Sequence, residues 1–220
     1  MTRLSQKNRV KNINNKVLLM SELVQKQIKD SMEVLRDHDI DRADKVITGD
    51  DEVDNLQQKI EEDCIIFIAT EQPLAKDLRN IFTVTKVVTD LERMADYAVD
   101  ICKLVKDKKV TSKKYLDEAM PLWEMDIMVR GMIDEVVRAF IYKDVDSAIE
   151  LYKKDKEVNY LYGKIFDDIT AVIREKGTTG KTAQLLFVAR YLERIGDRVT
   201  NICEGIIFVK KGKYIDLNDY

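Results

Sequence analysis

Apolar residues recur at three- and four-residue spacing along almost the whole chain, the period of an α-helix that buries one face. Breaks in this pattern are few. With 2 Pro and 8 Gly among 220 residues there is little punctuation, which favours long helices over many short strands. The pattern predicts six helices, over residues 6–36, 40–71, 74–106, 113–142, 144–176 and 181–211. Pro73 opens the third, where its missing N–H would be unpaired anyway. Residues 106–112, polar and charged, read as a linker, and 177–180 as the clearest loop. Lys210, Lys211 and Lys213 fall near the negative C-terminal end of the sixth helix. The simplest architecture is all-α: two tandem three-helix bundles, the first over residues 1–109 and the second over 110–220.

The two bundles are copies of one another. Leu91-Glu92-Arg93-Met94-Ala95-Asp96 returns as Leu192-Glu193-Arg194-Ile195-Gly196-Asp197, and Asp100-Ile101-Cys102 returns as Asn201-Ile202-Cys203. Upstream, Asp50 to Asp54 is answered by Asp155 to Asn159. The offset is 105 residues at Asp50/Asp155 and 101 at Glu92/Glu193, so the second copy is shorter by about one helical turn or a piece of loop.

Composition narrows the class. Hydrophobic residues make up 45% and charged residues 35%, enough for a real core under a well-solvated surface. Lys and Arg number 37 against 40 Asp and Glu, with no basic footprint for nucleic acid. No apolar run approaches the roughly 20 residues needed to cross a bilayer. The longest, residues 64–69, reads as buried helix, and the first eight residues offer no apolar signal-peptide core. Three cysteines without a CxxC pair fit reduced thiols in a cytoplasmic protein, with Cys102 and Cys203 as small buried residues.

The duplicated acids carry the candidate chemistry. At about 100° per residue, Glu92, Asp96 and Asp100 drift by about 80° and form a short acidic row opposite the apolar stripe of Leu91, Met94, Ala95, Ala98, Ile101 and Cys102. Glu193, Asp197, Asn201 and Glu204 repeat the row, while Asp50 with Asp54 and Asp155 with Asn159 add oxygens from a second helix in each half. Taken singly, such a row is a solvated face neutralised by arginines, since like charges at i, i+4 repel by only a few tenths of a kcal/mol. Its recurrence points to metal binding, and oxygen donors suit magnesium, calcium, manganese or iron. The chain's one histidine, His38, excludes a histidine-rich zinc site and the Glu-x-x-His di-iron pattern, and it reads as part of a surface turn. Arg79, Arg93, Arg190, Arg194 and Arg198 could bind phosphate or pair with the acids. No Gly-rich phosphate loop or nucleophile elbow is present.

These motifs, with Gln72-Pro73-Leu74-Ala75-Lys76-Asp77-Leu78-Arg79 and Arg198-Val199-Thr200-Asn201-Ile202-Cys203-Glu204, resemble the PhoU family over nearly the whole chain. The resemblance implies paired three-helix bundles, usually dimeric, with surface metal clusters on the (E/D)xxxD rows, the metal being iron, zinc, manganese or magnesium. It implies a cytoplasmic adaptor with no reaction of its own, peripheral to the membrane through its partners. Those partners would be the ATPase subunit of the phosphate ABC transporter and a sensor histidine kinase. Such an adaptor represses the phosphate-starvation response and restrains uptake. Two other readings remain at this stage: an accessory protein of a low-affinity phosphate permease, and a carboxylate-bridged metal hydrolase. The first copy departs from the family pattern. Met94-Ala95 stands where Ile-Gly is favoured, and Lys103 stands where the second half has Glu204, so the two halves are expected to bind metal unequally.

Overall fold

The computed structural model describes residues 3–107, 120–176, 180–213 and Leu217. Six α-helices form its regular elements: α1 (Arg3–Asp37), α2 (Ile40–Glu71), α3 (Ala75–Lys106), α4 (Met120–Tyr142), α5 (Val145–Lys176) and α6 (Gly180–Lys211). The expected helices are all present. The start expected at 113, most of the 106–112 linker and residues 177–179 lie outside the described residues. Pro73 does not open α3 as expected but precedes it. Gln72 turns left-handed (φ 45°) to end α2, and extended Leu74 (φ −69°, ψ 162°) leads into α3. A proline disfavours right-handed helix in the residue before it, which stops α2 there.

Spacing alone explains why α1 forms a bundle helix. Ile13, Val17, Met20, Val24, Ile28, Met32 and Leu35 recur every three or four positions and are all buried. Each such side chain removed from water contributes about 1.5–3 kcal/mol. Ser21 and Ser31 share the buried face without loss, because their hydroxyls donate to Leu18 O (2.8 Å) and Ile28 O (2.7 Å). The turns at the start of α2 and α5 are copies too. His38 (φ 55°) and Lys143 (φ 57°) are both left-handed. Asp39 and Asp144 then accept the backbone N–H of Arg42 (3.0 Å) and Ser147 (3.2 Å). His38 thus sits in a surface turn, its Nδ1 2.9 Å from Leu35 O.

Within each repeat the helices pack consecutively, and α3 against α6 and α1 against α4 join the repeats. One continuous core runs through both. Gly205 permits the close approach of α6 to α3, since a Cβ there would stand 2.9 Å from Thr83 Cγ2. Residues 64–69 are helical but not buried as expected. Cys64 and Phe67 face inward, whereas Ile65, Ile66 and Ile68 are 66%, 44% and 38% exposed. Six consecutive apolar residues wrap the full circumference of a helix, and α2, lying against α1 and α3, buries only one side.

Candidate metal centre

The structure brings predicted oxygen-bearing side chains together in two quartets, each at the junction of the middle and last helices of a repeat. In the first, Asp50 and Asp54 from α2 lie within electrostatic range of Glu92 and Asp96 from α3. In the second, Asp155 and Asn159 from α5 meet Glu193 and Asp197 from α6. The row does not continue to its third turn. The drift of about 80° carries Asp100 and Asn201 to the seam between repeats, within range of Tyr191 and Asp90. Asp100 pairs with Lys103 (3.3 Å), and Asn201 donates to Asp90 (3.3 Å). Glu204 lines a cleft with Glu61, Thr83 and Asp90.

The quartets differ in how their charge is answered. In the first, Arg93 contacts both Glu92 (3.5 Å) and Asp96 (2.9 Å), and Gln27 from α1 donates to Asp50 (2.8 Å). Burial still raises the pKa of Asp50, with Gln27 opposing, and that of Glu92, with Asp96 adding to the effect. In the second, Arg190 engages Glu193 Oε1, but Oε2 is buried without a partner. Asn159 donates to Asp155 Oδ2 (2.9 Å), while Asp155 Oδ1 is likewise buried and orphaned. Burial, reinforced by Asp197, pushes Asp155 up to about 6, and burial with Asp197 also raises Glu193.

Gly196 makes this arrangement possible. A Cβ at that position would lie 2.6 Å from Asp155 Oδ1. Its counterpart Ala95 carries that methyl, and Asp50 turns to Gln27 instead. The Ala/Gly difference between the repeats therefore has a direct structural consequence at the acid facing it.

The second quartet suits a hard cation by chemistry: its donors are oxygens, and two buried oxygens lack any partner. Among the described residues, however, no three His, Cys, Asp or Glu side chains stand assembled as a ready-made metal-holding group. The three cysteines are buried, and burial pushes each thiol up to about 12, so the free thiols are protonated near neutrality.

The arginines act mostly as partners of acids and rings. Arg198 contacts Asp90 (3.4 Å), and Arg194 lies over the Tyr97 ring (6.0 Å), which stacks on Tyr191 (5.9 Å between centroids). Sequence reasoning missed Asp90, Tyr97 and Tyr191. They occupy repeat-equivalent seam positions, since Asp90 matches Tyr191 and Tyr97 matches Arg198, but differing residue types hide the correspondence.

Fold and site together define a duplicated helical-bundle protein with a repeat-related acidic surface in each half. Among known families, the PhoU domain matches twice, over residues 17–105 and 122–206. The chain is 41% identical over 221 residues to a phosphate-specific transport system accessory protein PhoU homolog of Clostridium acetobutylicum, covering all of both chains. It is 33% identical over 205 residues to the phosphate-specific transport system accessory protein PhoU of Escherichia coli, covering 93% of this chain and 84% of that one. The crystal structure of PhoU from Pseudomonas aeruginosa superposes with a TM-score of 0.83 at 28% identity, over 94% of this chain and 99% of that one. The phosphate transport system regulatory protein PhoU from Streptococcus pneumoniae shares the fold, with a TM-score of 0.85 at 23% identity over 96% and 99%. The chain belongs to the PhoU family.

Proposed function

We propose that this protein is a regulatory adaptor of phosphate transport. It connects the ATPase subunit of a phosphate ABC transporter to a sensor histidine kinase, represses the phosphate-starvation response and restrains uptake. The observation that carries the reading is the end-to-end match at 41% identity to a protein named as a phosphate-transport accessory. The protein works in the cytoplasm as a homodimer of chains whose repeats divide near residue 109, and it meets the membrane through its partners. In keeping with that placement, no helix among the described residues is long and apolar enough to cross a membrane. It performs no reaction of its own. A divalent or trivalent cation such as manganese, magnesium, iron or zinc is held on the acidic quartets. The second quartet binds it more tightly, which its two orphaned oxygens support.

The test is alkaline phosphatase output in phosphate-rich medium from a strain lacking the protein. Loss should derepress the enzyme, and the wild-type gene should silence it again. Complementation with Glu193→Ala/Asp197→Ala then asks whether the second quartet carries the signal. Output that stays low without the protein would overturn the regulatory reading.

A further inference from the structure

Lys143 carries two unfavourable features at once. It holds a left-handed backbone (φ 57°) that glycine would adopt without strain. The residue is also half-buried. Burial lowers its pKa, and Lys76 in the first turn of α3 and Lys210 in the last turn of α6 lower it further against the opposing pull of Asp77. The left-handed backbone is that of the copied turn, as at His38, so it is the like-charge crowding that calls for a purpose.

The surroundings say which purpose. Arg79, one turn beyond Lys76, lays its guanidinium against Gly212 just past α6, with Cζ 3.4 Å from where a Cβ would stand. Its Nε is buried and has no hydrogen-bond partner. Lys76, Arg79, Lys143 and Lys210 thus come from three separate places in the chain to one end of the molecule. Among the described residues none of the four is neutralised in an ion pair. The nearby acids are Asp77 and Asp144, and Asp144 is already engaged by the N–H (3.2 Å) and hydroxyl (2.8 Å) of Ser147. Duplication did not create the cluster, because the positions equivalent to Lys143, Lys76 and Arg79 hold His38, Gly177 and Gly180.

We propose that this end of the molecule binds a tetrahedral oxyanion of the phosphate class, with Lys76, Arg79, Lys143 and Lys210 as its ligands. A guanidinium fork and several ammonium groups match an ion that offers oxygens on every side. The ion can be free phosphate or the headgroup of a phospholipid. In the second case Leu74 (81% exposed) and Tyr142 (79% exposed), beside Lys76 and Lys143, meet the lipid surface. The proposal rests on the cations alone and stands or falls independently of the regulatory reading.

The experiment uses the purified full chain and two variants, Lys143→Gly and Lys210→Gln. Inorganic phosphate is titrated calorimetrically at constant ionic strength, and cosedimentation compares phosphatidylglycerol with phosphatidylcholine vesicles. Wild type should bind one of the two probes, with both variants weaker by about tenfold or more, the loss of a charge-assisted contact. Lys143→Gly should lose affinity while its melting temperature holds or rises, which separates ligand loss from misfolding. Saturation by free phosphate identifies the ion as the ligand. Binding only to phosphatidylglycerol vesicles identifies the headgroup. No binding to either probe, or variants that bind as well as wild type, overturns the proposal.

Discussion

Asp155 Oδ1 and Glu193 Oε2 are a residue-scale anomaly of the second repeat, since buried carboxylate oxygens without partners are costly unless a cation or proton answers them. The folded protein holds the Asp155 proton with a pKa of about 6, against about 3.9 for an unfolded chain. The resulting stabilisation is fully present below pH 4 and lost as pH rises through 6. Metal-free protein at pH 7.5 therefore carries a penalty of about 1–3 kcal/mol at this residue. With chelator present, Asp155→Asn should melt higher than wild type at pH 7.5, and the gap should close toward pH 4. Equal melting temperatures at pH 7.5 would refute the account. Gly196→Ala drives a methyl into Asp155 Oδ1 and should cost about 1–3 kcal/mol in denaturant titrations, as overpacking does. The same variant should retain less metal at the second quartet, whereas Ala95→Gly should change the first one little. The carboxylates and their spacing were legible in the sequence. Which oxygens remain unpaired was not, because that depends on Arg190 choosing one oxygen of Glu193 and on Gln27 arriving from α1.

At the scale of elements, periodicity carried most of the fold, because each helix presents one apolar stripe at helical spacing. It failed where composition outran geometry. Residues 64–69 are apolar all round, and nothing local says that only Cys64 and Phe67 face the core. Pro73 marked the α2–α3 boundary, but the reversal takes Gln72 and Leu74 as well, so the helix begins later than a first-turn proline suggests. The caps repeat faithfully, and this gives a clean comparison. Asp39→Ala and Asp144→Ala should each lower stability by about 1 kcal/mol, the usual worth of a side-chain N-cap. Because the two caps lie in different repeats and share no partner, the double variant should lose about the sum. A deficit at one cap alone, measured by urea unfolding, would mean that the copied geometry does not carry copied energetics.

Across the whole molecule, the repeats are joined by a seam whose two ends began alike and now differ. Asp90 faces Arg198 and Asn201, and at the repeat-equivalent positions Tyr191 faces Tyr97 and Asp100. One end is an ion pair and the other an aromatic stack, and the core passes between the repeats without interruption. Such a molecule should unfold in one calorimetric transition. The seam variants then show how the polar end contributes. Arg198→Ala removes the cation beside Asp90, whose pKa burial already raises, and leaves that carboxylate only the neutral Asn201 amide (3.3 Å). It should destabilise more than Asp90→Ala, which leaves Arg198 with an alternative contact at the Tyr97 hydroxyl (3.5 Å). Adding Asp90→Ala to Arg198→Ala should restore part of the loss, with a coupling of about 0.5–3 kcal/mol in a double-mutant cycle. Acidification should shrink the Arg198→Ala deficit as well, because a protonated Asp90 no longer needs its partner. Additive single losses and a deficit that does not change with pH would mean that apolar packing, with Tyr97 on Tyr191, holds the repeats together unaided. The ion pair would then be a surface feature of the seam.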